Sequence, residues 1–276
     1  MAMRFLVLLL MLMARPAQAW TELPLLLHGG GDRTRALFKT QQMGTPSVEI
    51  FSPFFAPHPA PAAGHWQLEA DPATGITVIP RPQQGGYHWL QARQEQQNQV
   101  TVASTVHYFS DPAPAPRTML QYAKTELEII PMPLPREFAR YRAGERWPFL
   151  LRFHNQPLAH APLHFHTEQG DPTLLVSDAH GMVHLRLPDS LPAPSPGPAD
   201  QAAKPGHARH GPPVARFALV ADHLADGKLY RTTFSQGYAP DPYTGKSLAT
   251  GAGFALLGML CATPLLRRSK PTSRHP

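Results

Sequence analysis

Proline is the residue that most restricts this chain, with 33 in 276 positions. Each one fixes φ near about −65° and removes a backbone donor, so neither a long helix nor the middle of a sheet tolerates many of them. Between the prolines, apolar residues return at every second position rather than every third or fourth. Runs of this kind occupy residues 47–51, 65–70, 75–79, 87–91, 99–109, 125–130, 147–154, 162–167, 173–177, 182–187, 214–222 and 228–234. Turn residues bound them. Short alternating runs at this density predict an all-β chain built as an antiparallel sandwich or sandwiches. One exception is admitted at residues 33–40, where LFKTQQ lacks helix breakers and allows a short helix.

Two apolar segments close the chain. Residues 1–19 (MAMRFLVLLLMLMARPAQA) place Arg4 before an unbroken apolar stretch and end in Ala17-Gln18-Ala19, a small-x-small cleavage pattern. This reads as a signal peptide, with the mature chain starting at Trp20. Residues 248–266 (LATGAGFALLGMLCATPLL) carry no charge and are followed at once by Arg267-Arg268-Ser269-Lys270. At about 1.5 Å per residue such a stretch spans roughly 28 Å, enough to cross a bilayer, and the basic cluster marks the cytoplasmic side. The expected topology is a single-pass inner-membrane protein of a Gram-negative bacterium, with its bulk in the periplasm and residues 267–276 in the cytoplasm.

The formal charge of +6 follows from that topology. Six of the 25 basic residues (Arg4, Arg15, Arg267, Arg268, Lys270 and Arg274) lie in the two ends. Residues 20–247 therefore hold 19 basic against 19 acidic residues. A neutral exported part offers no basic face to a phosphate backbone, so no nucleic-acid partner is expected. The only cysteine, Cys261, sits in the apolar C-terminal segment. The exported part thus has no thiol chemistry and no disulfide, and a core alone must hold it together.

Residues 188–213 are rich in Pro, Ala and Gly and poor in large apolar side chains, and read as a disordered insertion between two strands. Residues 52–64 and 111–117 read as extended surface loops. A division near residue 123 separates an N-terminal β-rich region, 20–123, from a sandwich at 124–238.

From residue 126 the punctuation has a definite order. Glu126-Leu127-Glu128-Ile129-Ile130-Pro131 is a strand ending in proline, and Arg142-Ala143-Gly144-Glu145 is a turn. A strand at 149–153 leads to Asn155-Gln156-Pro157-Leu158-Ala159 and a further strand. Ser177-Asp178-Ala179-His180-Gly181 turns tightly into the next. This resembles the bacterial periplasmic NikM-like family of unknown function, a nickel- or cobalt-uptake component. Asn155 stands where that family has a small turn residue, His160 where it has glycine, and His180 where it has a second aspartate. Tyr87-His88-Trp89-Leu90 looks like the family's H-x-W-L segment, lying further into the chain. The resemblance covers roughly residues 87–238. It implies an immunoglobulin-like or transthyretin-like sandwich and an accessory role beside a metal transporter.

Of the 15 histidines only His275 lies outside residues 20–247. Strand alternation sorts them. His164 and His166 oppose Leu163, Phe165 and Thr167, while His184 and Arg186 oppose Val183, Leu185 and Leu187. If those two strands pair, His184 stands about 5 Å from His164 or His166 across the ladder. Two imidazoles on one strand face, joined by a third from a neighbour, suit nickel, cobalt, copper or zinc. His154, His160 and His180 in the flanking turns are further candidate ligands. The plain alternative is a set of solvent-facing polar residues, and Arg186 beside His184 favours it, since a cation opposes a nearby metal ion. His207 and His210 lie in the insertion. His28 precedes a glycine run, and His88 reads as a partly buried, satisfied histidine.

No catalytic arrangement competes with these readings. Ser177, Asp178 and His180 or His184 are the residue types of a hydrolase triad, but no G-x-S-x-G elbow surrounds the serine. Glu126 and Glu128 share a strand face and read as solvated. The expectation is a non-catalytic periplasmic accessory that binds a divalent transition metal or assists its uptake. The alternative is an envelope protein–protein interaction or structural module without metal.

Overall fold

In the computed structural model the described residues are 19–241, apart from 33, 45–46, 58–62, 84, 110–112, 136–139, 190 and 192–213, together with residue 259. The expected signal peptide, Ala19 excepted, and the expected membrane-spanning segment 248–266, Met259 excepted, lie outside them. Among the described residues no helix is long and apolar enough to cross a membrane. Contacts divide the chain after Pro240, and the part up to that residue holds every strand described below.

A single 3-10 turn at Trp20–Glu22 opens the chain. Then come β1 (Leu25–Gly31), β2 (Arg35–Gln41), β3 (Val48–Ala56), β4 (Ala63–Leu68), β5 (Ile76–Pro80), β6 (Gly86–Gln96) and β7 (Gln99–Phe109). The expected helix near 33–40 is strand β2. Its alternation decides this: Ala36, Phe38 and Thr40 are buried while Arg35 and Lys39 are exposed, a period of two that pairs with β1 and β5. Up to Pro240 the described residues have one α-helix, α1 (Arg117–Gln121), a five-residue turn with Met119 buried. There follow β8 (Leu127–Pro131), β9 (Tyr141–Arg142), β10 (Arg146–Phe153), β11 (Gln156–Pro157), β12 (Pro162–Thr167), β13 (Thr173–Val176), β14 (Met182–Arg186), β15 (Ala215–Ala225) and β16 (Lys228–Ala239). Asp226 and Gly227, both at positive φ, turn β15 into β16, as a tight two-residue hairpin requires.

These strands form three layers. A nine-stranded sheet runs β13-β12-β15-β16-β7-β6-β3-β4, with β9 on β16. One face of it meets the four-stranded sheet of β8, β10, β11 and β14. The main core lies between, with Trp89, Phe217 and Phe234 from the large sheet against Ile129, Phe149 and Leu185 from the small one. The other face, over β3, β6 and β7, meets the three-stranded sheet of β1, β2 and β5, where Leu90 and Ala103 pack with Leu26, Phe38 and Ile79. Trp89 and Leu90 are neighbours in sequence and serve opposite layers. This is why β6 is buried on both faces over seven residues, and why its sequence lacks clean alternation. Each large side chain sealed this way contributes about 1.5–3 kcal/mol.

The layering crosses the division expected near residue 123. Residues on both sides of it share the main core, and β16 pairs with β7. That pair is parallel, as is β16 with β9, so the ladders are not all antiparallel. Most of the expected disordered insertion lies outside the described residues. Of its flanks, Leu191 packs against the main core.

Candidate functional site

The six candidate ligands do not come together. β12 belongs to the nine-stranded sheet and β14 to the four-stranded one. His184 is exposed and stands opposite Pro148 of β10, not beside β12. The conditional expectation that His184 faces His164 or His166 across a ladder therefore fails. The apolar residues of β12 and β14 do point at one core, as expected, but from opposite sheets. Their outward histidines consequently diverge.

His160 and His154 sit in turns at positive φ, 54° and 46°. The His160 N–H donates to Ser177 O at 3.1 Å, and the His154 ring lies 4.2 Å from that of Phe153. The His180 N–H donates to Asp178 Oδ1 at 2.8 Å inside its turn. All three side chains are exposed. Arg186, the cation beside His184, pairs with Asp189 at 3.2 Å. Among the described residues no three His, Cys, Asp or Glu side chains form a group that could hold a metal ion.

His164 and His166 do share a face, with ring centroids 6.3 Å apart. His164 is exposed, but His166 is only 4% exposed. Burial, and then the neighbouring His164, pushes the His166 pKa down to about 4. The expected outward direction of His166 holds, yet that face is not bare. The register partners of these histidines on β15, Ala218 and Val220, lie in a small core with Leu23 and Leu25. The N-terminal segment is held there by Thr233 Oγ1, which donates to Pro24 O at 2.5 Å, and by Ser235 Oγ, which donates to Leu26 O at 2.9 Å. The cover extends over β15 and β16 and stops short of the sheet's end.

Beyond the cover lies β13. It pairs with β12 alone among the described strands, in the register Pro162↔Val176, Leu163↔Leu175, His164↔Leu174 and Phe165↔Thr173. Leu175 turns inward onto the main core. Leu174 and Val176 turn outward and are each 57% exposed, the highest values for large aliphatic residues in any described strand. The Ser177 N–H donates to Ala161 O at 3.0 Å, which sets the phase of the ladder. By alternation, Thr173 and Leu175 exchange hydrogen bonds with β12, and the N–H and C=O of Leu174 and Val176 point away from it. At the sheet's other end, β4 exposes no large apolar side chain among its described residues.

The remaining candidates are structural. Ser177 Oγ donates to Leu158 O at 2.7 Å and accepts the Ala161 N–H at 2.9 Å, so it fastens the turn before β12. Glu128 is not solvated, and Glu126 is half-buried and paired. Glu126 meets the Arg93 guanidinium at 2.5 and 2.9 Å, which holds its carboxyl down at about 2. Glu128 is fully buried between Lys124 and Arg152. An open groove of about 570 Å³ lies beside them, lined in part by Glu49, Arg93, Glu126 and His154. Its Arg93 and Glu126 are spent on each other.

Sequence reasoning missed a histidine cluster on the other side of the large sheet. His88 and His107 stand opposite each other on β6 and β7. The His107 ring stacks on that of His28 with centroids 5.1 Å apart, beside Phe38 and Phe109. His88 has no exposure, and its Nε2 has no hydrogen-bond partner. Three histidines so far apart in sequence carry no local signal; the pairing of β6 with β7 and the packing of β1, from the three-stranded sheet, against them unite the three.

No family model matches the chain, and no curated protein matches it. Solved structures give weak likenesses. A two-domain fibronectin type-III segment of chicken tenascin shares 7% identity over 78% of this chain and 98% of its own, with a TM-score of 0.24. The chicken CNTN1 FN1–FN3 domains share 9% over 82% of this chain and 69% of theirs, at 0.23. The central fibronectin-III array of RIM-binding protein shares 10% over 77% and 82%, also at 0.23. The architecture of this chain rests on its own strand pairing.

Proposed function

We propose that this chain is a non-catalytic, membrane-anchored periplasmic interaction module, and that it engages a partner protein through the uncovered end of its large sheet. One observation carries the reading. Leu174 and Val176 stand exposed on the terminal strand, next to a face that the N-terminal segment otherwise covers. Exposed aliphatic side chains on a sheet edge are a liability in a monomer, and their retention points to an interface. The signal peptide at 1–19, the anchor at 248–266 and the immunoglobulin-like reading of residues 124–238 belong to this proposal. A photo-crosslinking residue at position 174 of the full chain, in its native envelope, should give one discrete adduct. The same residue at exposed Leu224 should give none. Equal labelling from both positions would leave the end strand without a special role.

A second reading keeps the metal. The outward His164 and His166, with rings 6.3 Å apart, supply two imidazoles toward a divalent nickel, cobalt, copper or zinc ion, and the resemblance to a nickel- or cobalt-uptake family supports it. In that reading a metal transporter is the partner. Calorimetric titration of the purified full chain with each ion tests it.

A further inference from the structure

We infer that the partner docks by strand addition, as an extended apolar segment of another protein with basic residues at its ends, laid along β13. The inference rests on the interaction reading above and adds the mode and the chemistry of the partner. The strand presents what a new strand needs. The N–H and C=O groups of Leu174 and Val176 point out of the sheet, and their side chains flank them on one face. Nothing within Thr173–Val176 blocks pairing, since the strand holds no charge, no proline and no bulge.

Charge fixes the kind of partner. Glu168 and Asp171 precede the strand and Asp178 follows it, all exposed. Asp178 stays ionised because its carboxylate accepts the N–H groups of Met182 and His180, which hold its pKa below the usual range. Arg216 lies 3.6 Å from Glu168, and His180 and His184 are the basic residues that act on Asp178. An apolar strand with an acid at each end complements an apolar strand with a base at each end. The same arrangement disfavours a second copy of this chain. Antiparallel self-pairing of β13 in the register Leu174↔Val176 sets Asp178 of one molecule opposite Pro172 of the other, one residue from its Asp171, at both ends, so like charges come close twice.

The test uses the full chain and synthetic peptides of alternating Thr and Val with two lysines, or two glutamates, at each end. The lysine-flanked peptide should bind at least about tenfold more tightly, the effect of two or more exposed ion pairs. The preference should shrink in about 0.5 M salt. Asp171→Asn with Asp178→Asn should remove it, while the side-chain amide introduced by Asp178→Asn keeps an acceptor for the turn. N-methylation of the peptide on the edge that faces β13 should abolish binding, and methylation of the alternate residues should not. Val176→Pro removes an outward N–H without touching a β12 bond and should abolish binding with little change in melting temperature. Equal binding of the two peptides overturns the charge argument. Failure of every peptide while the position-174 adduct persists overturns strand addition and leaves the interaction reading standing. Failure of both removes both. A concentration-dependent dimer dissolved by Val176→Pro would make a second copy the occupant and overturn the inference.

Discussion

Lys124 and Glu128 face each other at 3.2 Å, with neither side chain reaching solvent. Arg152 closes on the other carboxylate oxygen at 2.7 Å, and Lys124 Nζ also donates to the carbonyls of Met119 and Tyr122 and lies 4.5 Å from the Trp89 ring centroid. One buried carboxylate therefore serves two buried cations and ties the turn after α1 to β8 and β10.

That arrangement predicts an asymmetric response to mutation. Glu128→Ala strands two charges in the core and should cost about 3–5 kcal/mol, read from the urea midpoint. Lys124→Met keeps an unbranched chain against Trp89 and leaves Glu128 its Arg152 partner, so it should be far milder. If Glu128→Ala melts with wild type, the buried cluster contributes nothing to stability.

His88 should make the fold acid-sensitive. Burial depresses its pKa from 6.5 to about 4, so the unfolded chain takes up a proton at a higher pH than the folded one. Stability is then unpenalised above about pH 6.5, falls as pH drops toward 4, and levels off below it. The difference corresponds to at most about 3 kcal/mol for this one residue. His107, also depressed to about 4 by burial and the nearby His28 and His88, adds in the same direction. His88→Phe should flatten the profile of denaturation free energy between pH 4 and 6.5. An unchanged slope would show that another group sets it.

Gly181 and Gly75 make a matched pair. Both have positive φ, 73° and 64°. A Cβ on Gly181 would lie 2.7 Å from Leu151 O and 3.0 Å from Leu158 N, whereas one on Gly75 meets nothing within 4 Å. Gly75→Ala carries only the backbone cost, about 1 kcal/mol. Gly181→Ala adds a clash with main chain that cannot move aside, and should cost about 2–4 kcal/mol. Equal melting temperatures for the two variants would contradict this account.

Much of the β architecture was legible because alternation reports a buried face wherever the other face is wet. On β12 the sequence separated Leu163 and Phe165 from His164 correctly. It could not say which sheet holds β12 and which holds β14, because alternation gives a face and not a neighbour. It also could not show that the N-terminal residues Leu23 and Leu25 cover Ala218 and Val220, which is why His166 reads as exposed and is buried. The helix admitted at 33–40 failed on length, since so short a window fits either period until β1 and β5 supply partners. Glu128 reads as solvated because Arg152, its partner, comes from another strand.

The sheet assignment also sharpens the metal reading into a test. On that reading His164 and His166 act together, and His184, in the other sheet, takes no part. Replacing both His164 and His166 by Ala should weaken the binding of nickel, cobalt, copper or zinc by at least about tenfold, since a single remaining imidazole holds such ions poorly. His184→Ala should leave the titration unchanged. His166 stays neutral until about pH 4, so its lone pair is available well below neutrality, and His166→Ala alone should lose most of the affinity at pH 5.5. A melting curve separates this from lost packing at a buried position. If the wild-type chain gives no binding heat with any of the four ions at micromolar concentration, the metal reading falls and the interaction reading is untouched. If His184→Ala weakens binding as much as the double variant does, the ion sits elsewhere.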